Sequence, residues 1–259
     1  MPAAATGTRR ERVRAATVDE IKRTALDLMR QTGTTDIRFT DIARVMGMTP
    51  PALYRYYADR DGLLTELITD AYDDLGRAAA QARDSVAPGD VGAKWLAVSS
   101  AYRDWAREQP QQFALIFGMP APGYAAPAEG PTTEAARRAM DQLAQLFVSA
   151  AQAGELRPPL VREVSPAIAE CVAAKHPELE GLLAPETFQA MVHAWASLHG
   201  FTCLEAYGHL DWMAPAARDA LFTTHVQAMA VAAGLPPAPG AKPPASGVGG
   251  RLRSTGASS

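Results

Sequence analysis

The chain has little cysteine and no long apolar run, which excludes several classes of protein. Its 259 residues include two cysteines, Cys171 and Cys203, in separate helical patterns. Such a pair favours buried thiols in a reducing compartment over a disulfide or half of a metal site. No run of about 18 apolar residues predicts a membrane span, and the N-terminus lacks the apolar segment of a signal peptide. We therefore expect a cytoplasmic protein without a membrane partner.

The sequence also lacks the short motifs of common enzyme classes. It has no P-loop, no Rossmann glycine pattern, no Gly-x-Ser-x-Gly and no His-Glu-x-x-His. His199 and Cys203 are one helical turn apart, but no third ligand is obvious nearby, so a core or interface histidine is favoured over a metal ligand. Glu205 could pair with His199 as acid and base by spacing alone. We expect no catalytic activity, no metal and no cofactor.

The amino-acid composition favours an all-α protein with a basic N-terminal part. Hydrophobic residues make up 47% of the chain, and strand-forming residues are sparse outside helical patterns. Residues 1–60 contain 11 Lys/Arg and 7 Asp/Glu, a net +4, which leaves −7 for the remainder of a chain whose total is −3. This asymmetry indicates a nucleic-acid contact near the N-terminus, although a solvated charged surface would show the same pattern.

The stretch 36–64 has the organisation of a helix-turn-helix. A first helix is predicted over 12–31, with Gly33 as its C-terminal stop. A second helix follows over 40–46, with Thr40 as its cap, Val45 among its inward residues and a turn at Gly47. Thr49 then caps a third helix of about two turns, and Pro50 takes its first position, where the missing N–H costs nothing. Leu53 and Tyr57 are expected to anchor this recognition helix, and Asp59 or Asp61 to cap a long connector.

These segments, taken in order, resemble the DNA-binding domain of the TetR/AcrR family of transcriptional regulators. The matching motifs lie between about Ala15 and Leu75: Ala25–Leu28 with Gly33, Thr40–Ala43, Gly47–Thr49, Ala52–Tyr54, Tyr57 and Arg60–Leu64. Two positions depart from the family pattern. Pro51 stands where the family usually has a small residue, and Arg60 replaces the customary lysine.

The resemblance implies which side chains contact DNA. Phosphates would be bound by Thr40, Tyr54, Tyr56 and Arg60. Arg44 and Arg55 are long enough to pair with a guanine edge, and Thr49, Pro50 and Ala52 would form the start of the recognition helix near thymine methyl groups. Two alternatives stay open: Tyr54 is a packing residue, and the two arginines form solvated ion pairs. Residues 1–11 are predicted to be a disordered basic arm that follows phosphates or stays idle.

Residues 76–234 are predicted to form a second helical domain, after a DNA-binding domain over 12–75. Aromatic side chains from several of its helices either line an apolar ligand pocket or form a plain core: Trp95, Tyr102, Phe113, Phe117, Phe147 and Trp195, with His199 beside them. The segment 194–210 resembles the C-terminal domain of the WHG subgroup of these regulators through Trp195, His199-Gly200, Leu204-Glu205 and Gly208. A small-molecule effector is what the family resemblance implies.

The last two predicted helices are expected to form a subunit interface. The segment 186–208 is apolar nearly all round, which requires burial on both sides, and the segment 215–233 carries one apolar stripe. The predicted interface residues are Phe188, Val192, Phe201, Phe222, Val226 and Met229. Residues 235–259 are predicted to be a disordered tail. The sequence thus predicts a homodimeric repressor, released from a palindromic operator on double-stranded DNA by a small apolar ligand. An activator or ligand-independent regulator of the same fold is the alternative, ahead of a helical enzyme or scaffold.

Overall fold

Ten α-helices organise the part of the chain that the structure, a computed structural model, describes: residues 8–176, 179 and 181–238. No strand occurs in this part, and the all-α prediction is confirmed. None of its helices is long and apolar enough to cross a membrane. The helices are α1 (Arg9–Thr32), α2 (Phe39–Val45), α3 (Pro50–Leu53), α4 (Arg60–Asp84), α5 (Val91–Glu108), α6 (Pro110–Phe117), α7 (Pro131–Gln152), α8 (Pro166–Lys175), α9 (Pro185–Ala206) and α10 (Pro215–Ala232).

Helix α1 starts earlier than predicted, because Thr8 and Glu11 form a capping box. The Thr8 amide donates to Glu11 Oε2 (2.6 Å), and the Glu11 amide donates to Thr8 Oγ1 (3.3 Å). The prediction of a disordered arm over 1–11 is therefore wrong for residues 9–11, while residues 1–7 lie outside the described part. Gly33 ends the helix in the left-handed conformation (φ 67°), as predicted.

Helix α4 belongs to both hydrophobic cores of the molecule. Its first half buries Leu63, Leu64 and Leu67 against α1–α3, and its second half buries Leu75 and Ala79 against the C-terminal helices. Asp59 caps it by accepting from the Gly62 amide (2.8 Å). The two cores therefore meet within one continuous helix, rather than at a linker between separate domains.

The larger core lies among α4, α5, α7, α9 and α10. Trp95 and Phe147 are fully buried there and pack edge to face, with ring centroids 6.3 Å apart. The indole N–H of Trp95 donates to the Val226 carbonyl of α10 (2.8 Å), which ties α5 to α10. Burial of these two large side chains stabilises the packing of α5 against α7.

Residues 235–238 belong to this body, so the predicted tail over 235–259 is wrong at its start. Leu235 is 1% exposed, and its amide donates to the Ala230 carbonyl (2.9 Å). A Cβ atom at Gly92, in the first turn of α5, would lie 2.5 Å from the Pro237 carbonyl carbon. The chain after α10 therefore runs back over α5 in close backbone contact. Residues 239–259 lie outside the described part.

Candidate nucleic-acid interface

The predicted helix-turn-helix is formed by α2 and α3, which a turn at Gly47 joins. Phe39, Ile42 and Ala43 bury the inner face of α2, and Gly47 turns the chain with φ 64°. The Met48 amide donates to the Ala43 carbonyl (2.8 Å), which closes the turn. Two details of the prediction are wrong. Arg38 rather than Thr40 is the cap position of α2, and Val45 is 60% exposed rather than inward.

Helix α3 is shorter than predicted and offers no free amide donor over its first three residues. It spans Pro50–Leu53, and the chain continues in tighter turns to Tyr57. Pro50 and Pro51 have no N–H, and the Ala52 amide is already bonded to the Thr49 carbonyl (2.8 Å). Thr49 takes the cap position but makes no side-chain cap bond. Side chains must therefore make the contacts that helix N-termini often make with phosphates.

Most of the predicted DNA-contacting side chains share one solvent-exposed surface of α2, α3 and the following turn. Leu53 (0% exposed) and Tyr57 (5%) anchor this surface from beneath, as predicted. Arg44 forms only an exposed pair with Asp41 (2.9 Å), the kind of pair that contributes little to stability. Exposed members of the surface are Thr40, Arg44, Thr49, Pro50, Tyr54 and Arg55, while Ala52 and Tyr56 are half-buried.

Tyr54 combines the two roles that the sequence left open. Its ring packs against the Phe39 ring with centroids 5.3 Å apart, yet the residue is 58% exposed. The ring thus braces α3 on α2, and enough of the side chain faces solvent for the hydroxyl to reach a phosphate. Packing and DNA contact are compatible for this residue.

Arg14 of α1 supports the turn after α3, which the sequence analysis missed. Its guanidinium lies over the Tyr56 ring (5.1 Å) and donates to the Arg55 carbonyl (3.0 Å). The first turns of α1 therefore lie beside the recognition helix. Arg10, four residues earlier on the same helical face, extends the basic surface outward. The signal in the sequence was the Thr8-x-x-Glu11 capping pattern, which places these arginines on a helix.

Arg60 is occupied by contacts inside the protein. Its guanidinium donates to Asp36 Oδ1 (3.2 Å) and to the Pro122 carbonyl (2.8 Å) in the loop between α6 and α7. Nearby, the hydroxyls of Thr65 and Tyr124 share a hydrogen bond (3.0 Å). The start of α4 is thus tied to a loop of the C-terminal half. The predicted phosphate contact by Arg60 would require the side chain to leave these partners.

Five of the seven predicted ligand-binding residues form one aromatic cluster around His199. His199 stacks on Trp195 (5.5 Å between centroids) and lies 4.8 Å from Phe117. The Tyr102 hydroxyl shares a hydrogen bond with His199 Nδ1 (2.8 Å), and burial lowers the pKa of His199. Phe113 completes the group. Trp95 and Phe147 are excluded from the predicted pocket, because they pack together in the core against α10.

A cavity of about 390 Å³ lies on the other side of α6, away from His199. Ile68 and Tyr72 of α4, Ile116 of α6, and Thr132 and Ala136 of α7 line it, together with the loop after α6. Sequence reasoning missed this space, because its walls come from four segments whose approach is set by tertiary packing. The Tyr72 ring, 6.0 Å from Phe117, separates the cavity from the aromatic cluster.

Three of the six predicted interface residues are buried inside the subunit. Phe222 is 2% exposed, Val226 1% and Phe201 8%, because α9 and α10 pack on the body through these side chains. They cannot form a subunit interface, and the prediction is wrong for them. Phe188 and Met229 are half-buried, and Val192 is 40% exposed.

The outward faces of α9 and α10 instead carry small and apolar residues at helical spacing. Ser197 and His225 share a hydrogen bond (3.0 Å), so the two helices lie side by side. The α10 face is lined by Ala217, Leu221, Thr224, Ala228 and Val231, and the α9 face by Val192, Ala196, Gly200 and Leu204.

Comparison with known proteins matches both halves of the chain to one family. Residues 15–67 match the family model of bacterial regulatory proteins, tetR family. Residues 95–229, or 135 of the 259 residues, match the model of the tetracyclin repressor-like, C-terminal domain. The second range includes the segment from Trp195 to Gly208, which carried the narrower resemblance.

Individual relatives agree with these matches. The HTH-type transcriptional regulators Rv1816 of Mycobacterium tuberculosis and Mb1846 of Mycobacterium bovis are 34% identical over 157 residues, which are 61% of this chain and 64% of each relative. The alignment thus spans less than two thirds of those relatives. The crystal structure of SCO4313, a protein assigned a regulatory role, is 30% identical over 86% of this chain and 98% of that one, with a TM-score of 0.65.

A more distant solved structure shares the fold. A tetR-family transcriptional regulator from Streptomyces coelicolor superimposes with a TM-score of 0.52 at 22% identity, covering 83% of this chain and 79% of that one. The helix-turn-helix on α2 and α3, the helical body and the two family matches lead to one conclusion. The chain belongs to the TetR family of bacterial regulatory proteins.

Proposed function

We propose that this protein is a cytoplasmic, homodimeric transcriptional repressor that leaves a palindromic operator when a small apolar ligand binds its helical body. The observation that carries the proposal is the exposed surface of α2 and α3, where anchoring residues are buried and basic and hydroxyl side chains face solvent. Such a surface can enter a major groove while its inner face stays packed. The family membership and the names of the relatives support the same function.

Arg55 is the side chain best suited to read a base. It is exposed at the end of α3, and its guanidinium has no ion-pair partner among the described residues, whereas Arg44 pairs with Asp41. An unpaired guanidinium can donate two hydrogen bonds to guanine O6 and N7 without first breaking another interaction. We propose that Tyr54 and Arg10, which are both exposed, bind phosphates.

Helix α6 offers a physical route from a ligand to the DNA-binding surface. Phe113 belongs to the larger core, while Leu115, two residues later, belongs to the core that holds α1–α3. A ligand that displaces α6 therefore changes the packing of both cores. If the ligand binds better to the displaced arrangement, it shifts the population away from the DNA-binding one.

Dimerisation through the outward faces of α9 and α10 would set the spacing of two recognition helices. The residues that line these faces are all uncharged: Val192, Ala196, Gly200, Leu204, Ala217, Leu221, Thr224, Ala228 and Val231. Small side chains allow helices of two subunits to approach closely, and a two-fold axis would make the contact self-complementary. A palindromic operator follows from that symmetry.

Fluorescence anisotropy with labelled DNA from just upstream of the coding region tests the proposal. The wild type should bind this DNA more tightly than a scrambled duplex. Arg55→Ala should lose about 1–3 kcal/mol of binding free energy on the operator and less on scrambled DNA, because a base contact is removed. Arg23→Ala, an exposed arginine in the middle of α1, is the matched control and should bind like the wild type. Equal binding of operator and scrambled DNA by the wild type would overturn the proposed function.

A further inference from the structure

The recognition helix is too short to fix the residue that follows it. Helix α3 spans one turn, Pro50–Leu53, and Arg55 lies in the tighter turns after it. The last carbonyl groups of a helix have no intrahelical partner, and a single helical turn has little stability of its own. The Arg55 amide bonds to the Ala52 carbonyl at 3.3 Å, which is longer than is typical. The direction of the Arg55 side chain therefore depends on contacts from outside α3.

Buried anchors hold the chain on both sides of Arg55. Leu53, two residues before it, is 0% exposed, and Tyr57, two residues after it, is 5% exposed. The Tyr57 hydroxyl also donates to Glu66 Oε2 of α4 (2.7 Å), which fixes that side of the turn on the connector helix. Arg55 itself is exposed between the two anchors. A contact at this point of the backbone would set the path of the chain between them.

Arg14 of α1 makes this contact with its guanidinium group. Nη1 donates to the Arg55 carbonyl (3.0 Å), and Cζ lies 5.1 Å from the centroid of the Tyr56 ring. Carbonyl groups at the C-terminal end of a helix carry partial negative charge, which favours a cation there, and the face of an aromatic ring attracts a guanidinium. Because the two contacts are made to consecutive residues, they restrict rotation of the backbone at the position that carries the Arg55 side chain.

The backbone of Arg14 is itself held in place. The capping box of Thr8 and Glu11 starts α1 before this residue, so Arg14 lies on a helix rather than on a flexible arm. Val18 and Ile21, four and seven residues later on the same helical face, pack into the core beneath α2 and α3. The core that seats α3 therefore also sets the position of Arg14 beside it.

We infer that Arg14 is a positioning residue for sequence readout, which orients Arg55 toward a base edge without contacting a base itself. This inference rests on the proposed function, because it explains how the side chain proposed to read a base is held. It predicts that Arg14 changes the preference for one DNA sequence over another. A residue that contacts only phosphate changes the affinity for all sequences alike.

The ratio of affinities for the upstream DNA and for a scrambled duplex tests the inference on the full chain. Arg14→Ala should lower this ratio about three- to tenfold, as expected for the loss of one or two hydrogen-bonding contacts. Partial unfolding and a lost phosphate contact leave the ratio unchanged, because both act equally on the two duplexes. Arg12→Ala removes an exposed arginine from the opposite side of the same turn of α1, and this matched control should keep the ratio of the wild type. An unchanged ratio for Arg14→Ala would overturn the inference.

A double variant shows whether Arg14 acts through Arg55. Arg55→Ala should lower the ratio by itself, and adding Arg14→Ala should lower it no further, because the side chain that Arg14 orients is already absent. If the two substitutions instead lower the ratio additively, Arg14 contacts a base directly and the positioning role is wrong.

Hydrogen exchange of the protein without DNA separates this inference from the proposed function. The amides of residues 54–57 should exchange about threefold faster or more in Arg14→Ala than in the wild type or Arg12→Ala, because the turn loses its support. If exchange accelerates in this way and the wild type prefers no DNA sequence, the proposed function is wrong and Arg14 still holds the turn. If the wild type prefers the upstream DNA and Arg14→Ala changes neither exchange nor the ratio, the positioning role is wrong and the proposed function stands.

Discussion

Arg60 shows how the neighbours of one residue decide what it can bind. The guanidinium joins α4 to Asp36 and to the loop carbonyl of Pro122, and its side chain is 25% exposed. A phosphate contact would have to replace both bonds. The structure therefore favours a role in holding the DNA-binding surface against the body.

A double-mutant cycle on Arg60 and Asp36 tests this role. Arg60→Ala and Asp36→Ala should each lower the free energy of unfolding by about 1 kcal/mol or less, as is usual for partly exposed pairs. The double variant should lose less than the sum, because the two residues interact. Urea denaturation measures all three. If the two losses of stability are fully additive, and Arg60→Ala alone makes DNA binding less dependent on salt, Arg60 contacts a phosphate rather than Asp36.

Glu205 is the most heavily paired carboxylate among the described residues. It accepts two hydrogen bonds from Arg103 (2.6 and 2.7 Å) and one from Arg107 (2.6 Å), and Arg103 lies 4.4 Å from the Phe222 ring centroid. Burial on its own raises the pKa of Glu205, but the hydrogen bonds and charges of Arg103 and Arg107 outweigh it and hold the pKa below its usual value. This network joins α5 to α9 and α10.

The lowered pKa of Glu205 makes stability depend on pH. Because the folded-state pKa lies below the unfolded value near 4.5, the stabilisation is complete above that pH and is lost as the pH falls through the folded value. Glu205→Gln should lower the free energy of unfolding at pH 7 by about 3 kcal/mol or less, since it removes the carboxylate between Arg103 and Arg107 and leaves Asp219 as their remaining counter-charge. The Glu205→Gln variant should also lose less stability than the wild type when the pH is lowered from 7 to 3.5. Asp141→Asn, at an exposed carboxylate of α7 outside this network, is the control.

At the scale of elements, α1 does more than support the helix-turn-helix, because its first turns form part of the candidate DNA surface. Its first turns are placed beside α3 by the contacts of Arg14 with Tyr56 and with the Arg55 carbonyl. Arg10 is exposed on the same face, one turn closer to the N-terminus. A helical arginine reaches phosphates with less loss of conformational entropy than one on a flexible arm.

Arg10→Ala should therefore weaken DNA binding without changing sequence preference. Affinity for operator and scrambled DNA should fall by a similar factor, and the slope of log K against log salt should become less steep by about one. Arg30→Ala, at the opposite end of α1, is the matched control because its side chain pairs with Asp27. An Arg10 variant that binds like the control would remove α1 from the DNA surface.

Helix boundaries could be predicted where they depend on a local residue pattern. Contacts between residues far apart in the chain could not be predicted. Gly33 and Pro50 mark helix ends through their backbone preferences and Asp59 through its side-chain cap, so these boundaries agree with the structure. The partners of Arg60 and Arg14 are 62 and 41 residues away in the chain, and no periodicity predicts them. The cavity escaped prediction for the same reason, since it exists only where four distant segments meet.

For the whole molecule, burial divides α10 into an inner and an outer face that the sequence could not separate. Phe222 and Leu221 are neighbours in an apolar helix, yet Phe222 is 2% exposed and Leu221 is 43% exposed. The sequence predicted that a second subunit covers Phe222, whereas the structure shows that the subunit's own body covers it and leaves Leu221 exposed. The proposed subunit interface therefore includes Leu221 and excludes Phe222.

These two neighbouring residues give a paired test of assembly. Leu221→Glu should yield a folded monomer that binds the operator weakly, because a charge on the proposed interface opposes association. Phe222→Asp should instead unfold the subunit, since it places an unpaired charge in the core. Sedimentation velocity and circular dichroism distinguish the two outcomes. A folded dimer of Leu221→Glu would show that another surface joins the subunits.

The continuity of α4 through both cores constrains how regulators of this kind can be recombined. A chimera that joined the DNA-binding segment of one relative to the body of another at the end of the matched range 15–67 would cut α4 between Leu67 and Ile68, two buried residues of the core that holds α1–α3. It would also leave Leu115 and Ala121 of the recipient facing a core that they do not fit. A transplanted specificity module should therefore carry α6 and its following loop along with α1–α4. For the engineer, the exchangeable unit is discontinuous in the chain.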